Sequence, residues 1–179
     1  RYNSYHHIHW KVSNHMSTLS VDTIQGQTTA ANVKLPAGSI VQTVNAKTTT
    51  YTNVASTTFT DTTLTATITP KYNTSKILII ISQNTGSDRD NNSAFCSLQL
   101  LRGSTVIQTQ TYISGIEAGG ASSTKSIGPW AVTCLDSPAT TSATTYKTQG
   151  KITSTSNNGT ARFQWDNGES NITLLEISV

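Results

Sequence analysis

With 179 residues, only 12% of them charged, and a net charge of +3, the chain has room for one domain with a dry core plus an arm, and too little for two full domains. The basic residues are scattered, which gives nucleic-acid binding no support, and no apolar run approaches the roughly 18 residues of a membrane span. Helix formers are scarce while Thr and Ser abound; Thr is stiff at χ1 and suits a pleated, half-wet surface, so the composition predicts an all-β chain solubilised by hydroxyls rather than by charge.

Residues 1–15, RYNSYHHIHWKVSNH, hold all four His and differ in character from the rest of the chain. Met16 opens MSTLSVDTIQG as a protein start would, so the stretch before it is expected to be a leader, non-native or flexible. Residues 16–40 read as an extended attachment arm. In it Leu19, Val21 and Ile24 offer apolar side chains that can fill pockets on a neighbouring protein, while the Leu35-Pro36-Ala37-Gly38 turn stops any compact unit.

Residues 41–179 are expected to form one β-domain. Its first firm strand covers residues 39–44. A short strand at 57–61 leads to 64–69, where Leu64, Ala66 and Ile68 alternate with Thr, the period of a strand with one wet and one dry face. Pro70 ends it, and residues 77–81 then run without a polar side chain, as a short strand buried on both faces does. Next come a polar loop at 84–92 carrying Asp88, Arg89 and Asp90, and a hairpin of residues 94–102 and 106–112 turned by Gly103-Ser104. A Gly- and Ser-rich surface loop at 114–126 precedes strands at 127–135 and 144–153, which flank the Asp136-Ser137-Pro138 break. Asn157-Asn158-Gly159 turns the chain so that 161–165 pairs back, and 172–179 is the last strand. Short strands and turns at this spacing predict an antiparallel β-sandwich of jelly-roll type, with no helix longer than a turn or two.

Several stretches in fixed order carry a resemblance: MSTLSVDTIQG at 16–26, LPAGSIVQ at 35–42, TITP and SKILI at 67–70 and 75–79, LLRGS at 100–104, LDSPATTSATTYK at 135–147 and NITLLEI at 171–177. From Met16 to Val179 the chain resembles a family of tailed-bacteriophage virion proteins, common in marine phages and cyanophages and of tail-fibre-like, structural type. The resemblance implies an N-terminal arm that attaches to capsid or tail proteins, and a C-terminal β-sandwich displayed on the virion surface as a homotrimer, after assembly in the bacterial host cytoplasm.

Catalytic chemistry has few residues to work with. All His precede Met16, so the β-domain holds no imidazole base for a Ser or Cys nucleophile, and most acidic residues lie beside turn formers, where turn hydrogen bonding explains them. No enzyme, metal or cofactor is expected: His6, His7 and His9 lack acidic or thiolate partners nearby in sequence, and Asp88 with Asp90 lacks the carboxylate density of a calcium loop. Cys96 and Cys134 read as two small buried residues or as one inter-strand disulfide. The alternative to a purely structural role is a receptor- or glycan-binding tip. In that reading Tyr112 and Trp165 stack on sugar rings of a host surface polysaccharide, and Asp88, Arg89 and Asp90 bond its hydroxyls. Phe95, Trp130 and Phe163 are expected in the core.

Overall fold

The structure, a computed structural model, describes residues 35–90, 93–116 and 123–179. The leader and the arm through Lys34, with Leu19, Val21 and Ile24, lie outside the described residues. Among the described residues ten strands succeed one another in chain order: β1 (Ile40–Thr48), β2 (Thr52–Val54), β3 (Thr60–Ile68), β4 (Lys76–Asp90), β5 (Ala94–Arg102), β6 (Thr105–Ile116), β7 (Ser123–Asp136), β8 (Thr144–Ile152), β9 (Thr160–Phe163) and β10 (Ser170–Ile177). Among the described residues the helical segments are two three-residue 3-10 turns, Ser156–Asn158 and Trp165–Asn167, in keeping with the scarcity of helix formers.

The long strand β4 is the axis of the larger sheet. One of its edges carries β7, from Ile77 to Asp90; the other takes β10 alongside Lys76 to Ser82 and β9 alongside Thr85 to Asp88. Beyond β10 lies β1, and beyond β9 lies β2. Strands β9 and β10 therefore form one track, broken at residues 164–169, and β1 and β2 form another, broken beside it at 49–51. The smaller sheet runs β3-β8-β5-β6. All pairings in both sheets are antiparallel.

The sheets pack face to face because each strand's alternation sends one set of side chains inward. Leu64, Ala66 and Ile68 of β3, Cys96, Leu98 and Leu100 of β5 and Tyr146 and Ile152 of β8 meet Ile77, Ile79 and Ile81 of β4, Trp130 of β7, Phe163 of β9 and Ile172 and Leu174 of β10, none more than 5% exposed. Each large apolar side chain taken fully from water contributes about 1.5–3 kcal/mol, so this interlayer is the main source of cohesion. The architecture is an all-β sandwich of two antiparallel sheets.

Several local expectations are corrected. The polar loop at 84–92 is strand as far as Asp90: Gln83, Thr85 and Ser87 keep the inward alternation, and Gln83 Nε2 donates to Thr62 Oγ1 at 2.8 Å while Thr85 Oγ1 donates to the Gly128 carbonyl at 2.7 Å. Polar residues can fill an inward row where the facing sheet or a neighbouring strand supplies their partners. The isoleucine run is not buried on both faces, since Ile80 is 42% exposed. The stretch at 114–126 is strand at both ends, because β6 reaches Ile116 and β7 starts at Ser123. Residues 57–61 and 64–69 yield a single strand, β3, bulged between Asp61 and Thr65 with Thr63 at φ 66°. After Asn157-Asn158-Gly159, β9 does not return onto β8 but crosses to the larger sheet, between β4 and β2. A turn sets a reversal, not the partner. Phe95 is half-buried rather than core, with its ring 4.9 Å from that of Tyr112, edge to face, whereas Trp130 and Phe163 are buried as expected.

The end of the predicted arm that is described lies on the domain: the Gly38 amide donates to the Ser178 carbonyl at 2.8 Å and the Ser178 amide to that of Ser39 at 2.9 Å. Cys96 is buried, Cys134 half-buried, and both are free thiols. Burial pushes the Cys96 thiol up to about 12, and burial with the nearby Asp136 charge raises that of Cys134, so both stay protonated and unreactive at neutral pH.

Candidate functional site

Between Phe163 and Ser170 the chain leaves the larger sheet. Gln164, Asp166 and Asn167 are left-handed, at φ 53°, 50° and 60°, a conformation Asn and Asp tolerate and Gln adopts rarely. Such a cluster persists only when its surroundings hold it. On the inside, the fully buried Gln164 side chain directs its amide nitrogen at the Thr50 and Thr62 carbonyls, 3.2 and 3.1 Å away, and its oxygen accepts from Gln83 Nε2 at 3.1 Å and Ser170 Oγ at 2.8 Å. On the outside, Asn84 takes over. Its carbonyl accepts from the Gln164 amide at 3.2 Å and its Oδ1 from the Trp165 amide at 3.1 Å, while the Gly168 amide closes the turn onto the Trp165 carbonyl at 2.9 Å.

This anchoring lays Trp165 over the outer face of the sheet, above Gly86 of β4. The glycine is needed there, because a Cβ would stand 3.0 Å from Trp165 Cε3 and 2.9 Å from the Ser126 carbonyl oxygen. Two cations clasp the indole: the Arg162 guanidinium carbon lies 4.3 Å from the ring centroid and Lys125 Nζ 5.3 Å. Arg162 stands opposite Gly86 on β9 and forms an ion pair with Asp88, on the same outer face of β4. From the break between β1 and β2 comes Tyr51, 45% exposed. Tyr51, Arg162, Trp165, Asp166 and Asn167 line a shallow hollow of about 370 Å³, within the range of small-molecule sites.

The residues expected to bind from sequence are not gathered in one place. Trp165 is in the hollow and Asp88 beside it, but Asp88 is only 8% exposed and engaged with Arg162. Arg89 comes next along the same strand and so points the other way, into the sandwich, 7% exposed and donating from Nη1 to the Ser93 carbonyl. The surface loop that would have offered Asp88 and Arg89 together does not exist; the Asp90 side chain lies outside the described residues. Tyr112, 65% exposed at φ 57°, belongs to the smaller sheet, where a bulge of β6 sets it in a separate cavity of about 290 Å³ with Thr57, Lys151 and Thr153. Tyr112 and Trp165 therefore serve different faces.

Sequence reasoning missed Tyr51, Lys125, Arg162, Asp166 and Asn167. One signal was available: Trp165-Asp166-Asn167-Gly168 is turn chemistry interrupting two apolar strands, and an indole in such a turn has no core position to fill. Among the described residues, no group of three His, Cys, Asp or Glu is placed to hold a metal ion. The chain matches no known protein family and no curated protein.

Proposed function

We propose that the protein is a non-enzymatic structural component of a bacteriophage virion, displayed on the particle as a fibre or capsid decoration and anchored through residues 16–40. The observation that carries this reading is the strand order. With β1 and β2 counted as one track and β9 and β10 as another, the chain's tracks lie 1-8-3-6 in the larger sheet and 2-7-4-5 in the smaller. That order favours two nested Greek keys, the jelly roll, an architecture that recurs in viral capsid and lectin domains. It joins the resemblance of residues 16–179 to phage virion proteins as support. Intact particles labelled with an antibody against this chain and imaged by electron microscopy test it: label at the particle surface is expected, and unlabelled particles sink the proposal.

A homotrimer belongs to the same proposal. Its support is an apolar row on the outer face of the larger sheet, where Leu135 of β7, Leu78 of β4 and Leu175 of β10 stand directly opposite one another, with Ile80 next along β4. Leu135 and Ile80 are 53% and 42% exposed, and contiguous apolar surface of this kind favours self-association.

The Trp165 hollow favours a second reading, a receptor-binding tip. Host adsorption with Trp165→Ala decides it: reduced adsorption is expected, and unchanged adsorption leaves the scaffolding role alone.

A further inference from the structure

We infer that the hollow lined by Tyr51, Arg162, Asp166 and Asn167 binds an uncharged saccharide through vicinal hydroxyls. The inference rests on the receptor-binding reading and names the ligand class for it. Charge comes first. Around the hollow stand two cations, Lys125 and Arg162, and two carboxylates, Asp88 and Asp166, so their formal charges cancel and neither an anion nor a cation is drawn in by the field.

The polar groups left over are of both kinds. Arg162 engages Asp88 through Nη2, which leaves Nη1 as a donor; Asp166 and Asn167 are exposed, the carboxylate accepting only and the amide doing both. Adjacent hydroxyls on a pyranose donate and accept at neighbouring positions, which matches this mixture, whereas a ligand of one polarity leaves half of it unused. The apolar face of the sugar needs a ring to lie on. Trp165 already carries Arg162 and Lys125 over its indole, so it acts as a wall that positions the guanidinium, and the exposed ring of Tyr51 is the stacking surface. Because the excursion is pinned through Gln164 and Asn84, little ordering is required on binding.

The purified full chain is screened on an array carrying neutral hexose oligosaccharides beside alginate, hyaluronan and sulfated galactan fragments, and the best ligand is then measured by titration calorimetry. Neutral chains are retained and the acidic ones are not. Tyr51→Ala and Asp166→Asn each weaken binding about tenfold, the size of one lost stacking or charged hydrogen-bond contact. Val106→Ala, on the exposed edge strand of the other sheet, leaves affinity unchanged, and unfolding midpoints confirm that the variants fold. Retention confined to acidic glycans but still lost in Tyr51→Ala overturns the ligand class while the recognition site stands. No retention of any glycan, or retention indifferent to both Tyr51→Ala and Trp165→Ala, overturns the inference and the receptor-binding reading together; surface display is judged separately, by the labelled particles.

Discussion

Glu176 shows how a single ionised side chain is kept inside a dry interlayer. Its Oε1 accepts from the backbone amides of Lys71 and Tyr72 at 2.8 and 3.2 Å, and its Oε2 from Gln42 Nε2 at 2.6 Å, so it fastens the β3–β4 loop to β10. Burial works to raise its pKa, but Ser75, Gln42 and the two amides outweigh burial and hold the carboxyl below the usual range. A folded-state pKa below the unfolded value of about 4.3 means a contribution complete above that pH and lost as pH falls through the folded value. Glu176→Gln is expected to cost roughly 2 kcal/mol at neutral pH. In urea melts the gap from the parent chain should close steadily below about pH 4; a gap that ignores pH contradicts this role for the carboxylate.

Glycines supply a second test at the same scale. A Cβ at Gly150 would lie 2.1 Å from Phe163 Cζ in the core, whereas at Gly128 it would meet nothing within 4 Å. Gly150→Ala is expected to destabilise by roughly 1–3 kcal/mol or more through overpacking, and Gly128→Ala by under about 0.5 kcal/mol. Equal urea midpoints for the two would refute the packing described around Phe163.

At the scale of elements, the excursion between β9 and β10 depends on its inner anchor more than on its own turn residues. Gln164→Ala removes one partner each from the Thr50 and Thr62 carbonyls and from the Gln83 amide, which keep only their contacts to Thr63, Thr52 and Thr62, at a cost of roughly 1–3 kcal/mol. Hydrogen exchange should then speed up at the amides of Trp165 and Gly168 ahead of those of β4. Uniform acceleration over the whole sheet would mean that the excursion has no stability of its own to lose. A comparable staple closes the other end of the sandwich, where Asp136 of β7 accepts from Arg102 Nη1 of β5 at 2.8 Å and from the Tyr146 hydroxyl of β8 at 2.7 Å; burial and the Asp136 charge raise the Tyr146 pKa, so the phenol stays a donor.

The strands themselves were legible where the side chains alternated. Leu64, Ala66 and Ile68, or Leu98 and Leu100, announce a dry face by position alone. Legibility failed at Gln83 and Thr85, whose inward side chains find Thr62 and the Gly128 carbonyl far along the chain, and at Ser87, which is buried with no hydrogen-bond partner for its hydroxyl among the described residues. Composition sees polar residues there and reads a loop; it has no access to the distant strands that supply partners to Gln83 and Thr85.

For the molecule as a whole, the apolar row of Leu135, Leu78, Leu175 and Ile80 is the feature that bears on assembly. Replacing Leu135 and Ile80 together by Lys is expected to turn an oligomer into a monomer in size-exclusion chromatography with light scattering, with little change in the unfolding midpoint of the sandwich, because both side chains are exposed in the single chain. A parent chain that is already monomeric at micromolar concentration would remove the trimer from the proposal.

Fold class was written in the residues one strand at a time, because period-two alternation, β-branched side chains and turn formers act over a few positions and need no distant partner. Partnership was decided only in three dimensions. Trp165 acquires Gly86, Arg162, Lys125 and Tyr51 as neighbours because β9 crosses to the long edge of β4 beside the break between β1 and β2, and Arg89 loses its place beside Asp88 because one more residue of strand turns a side chain to the opposite face. Edge pairing is a competition among distant backbones, and its outcome is not contained in any local run of side chains.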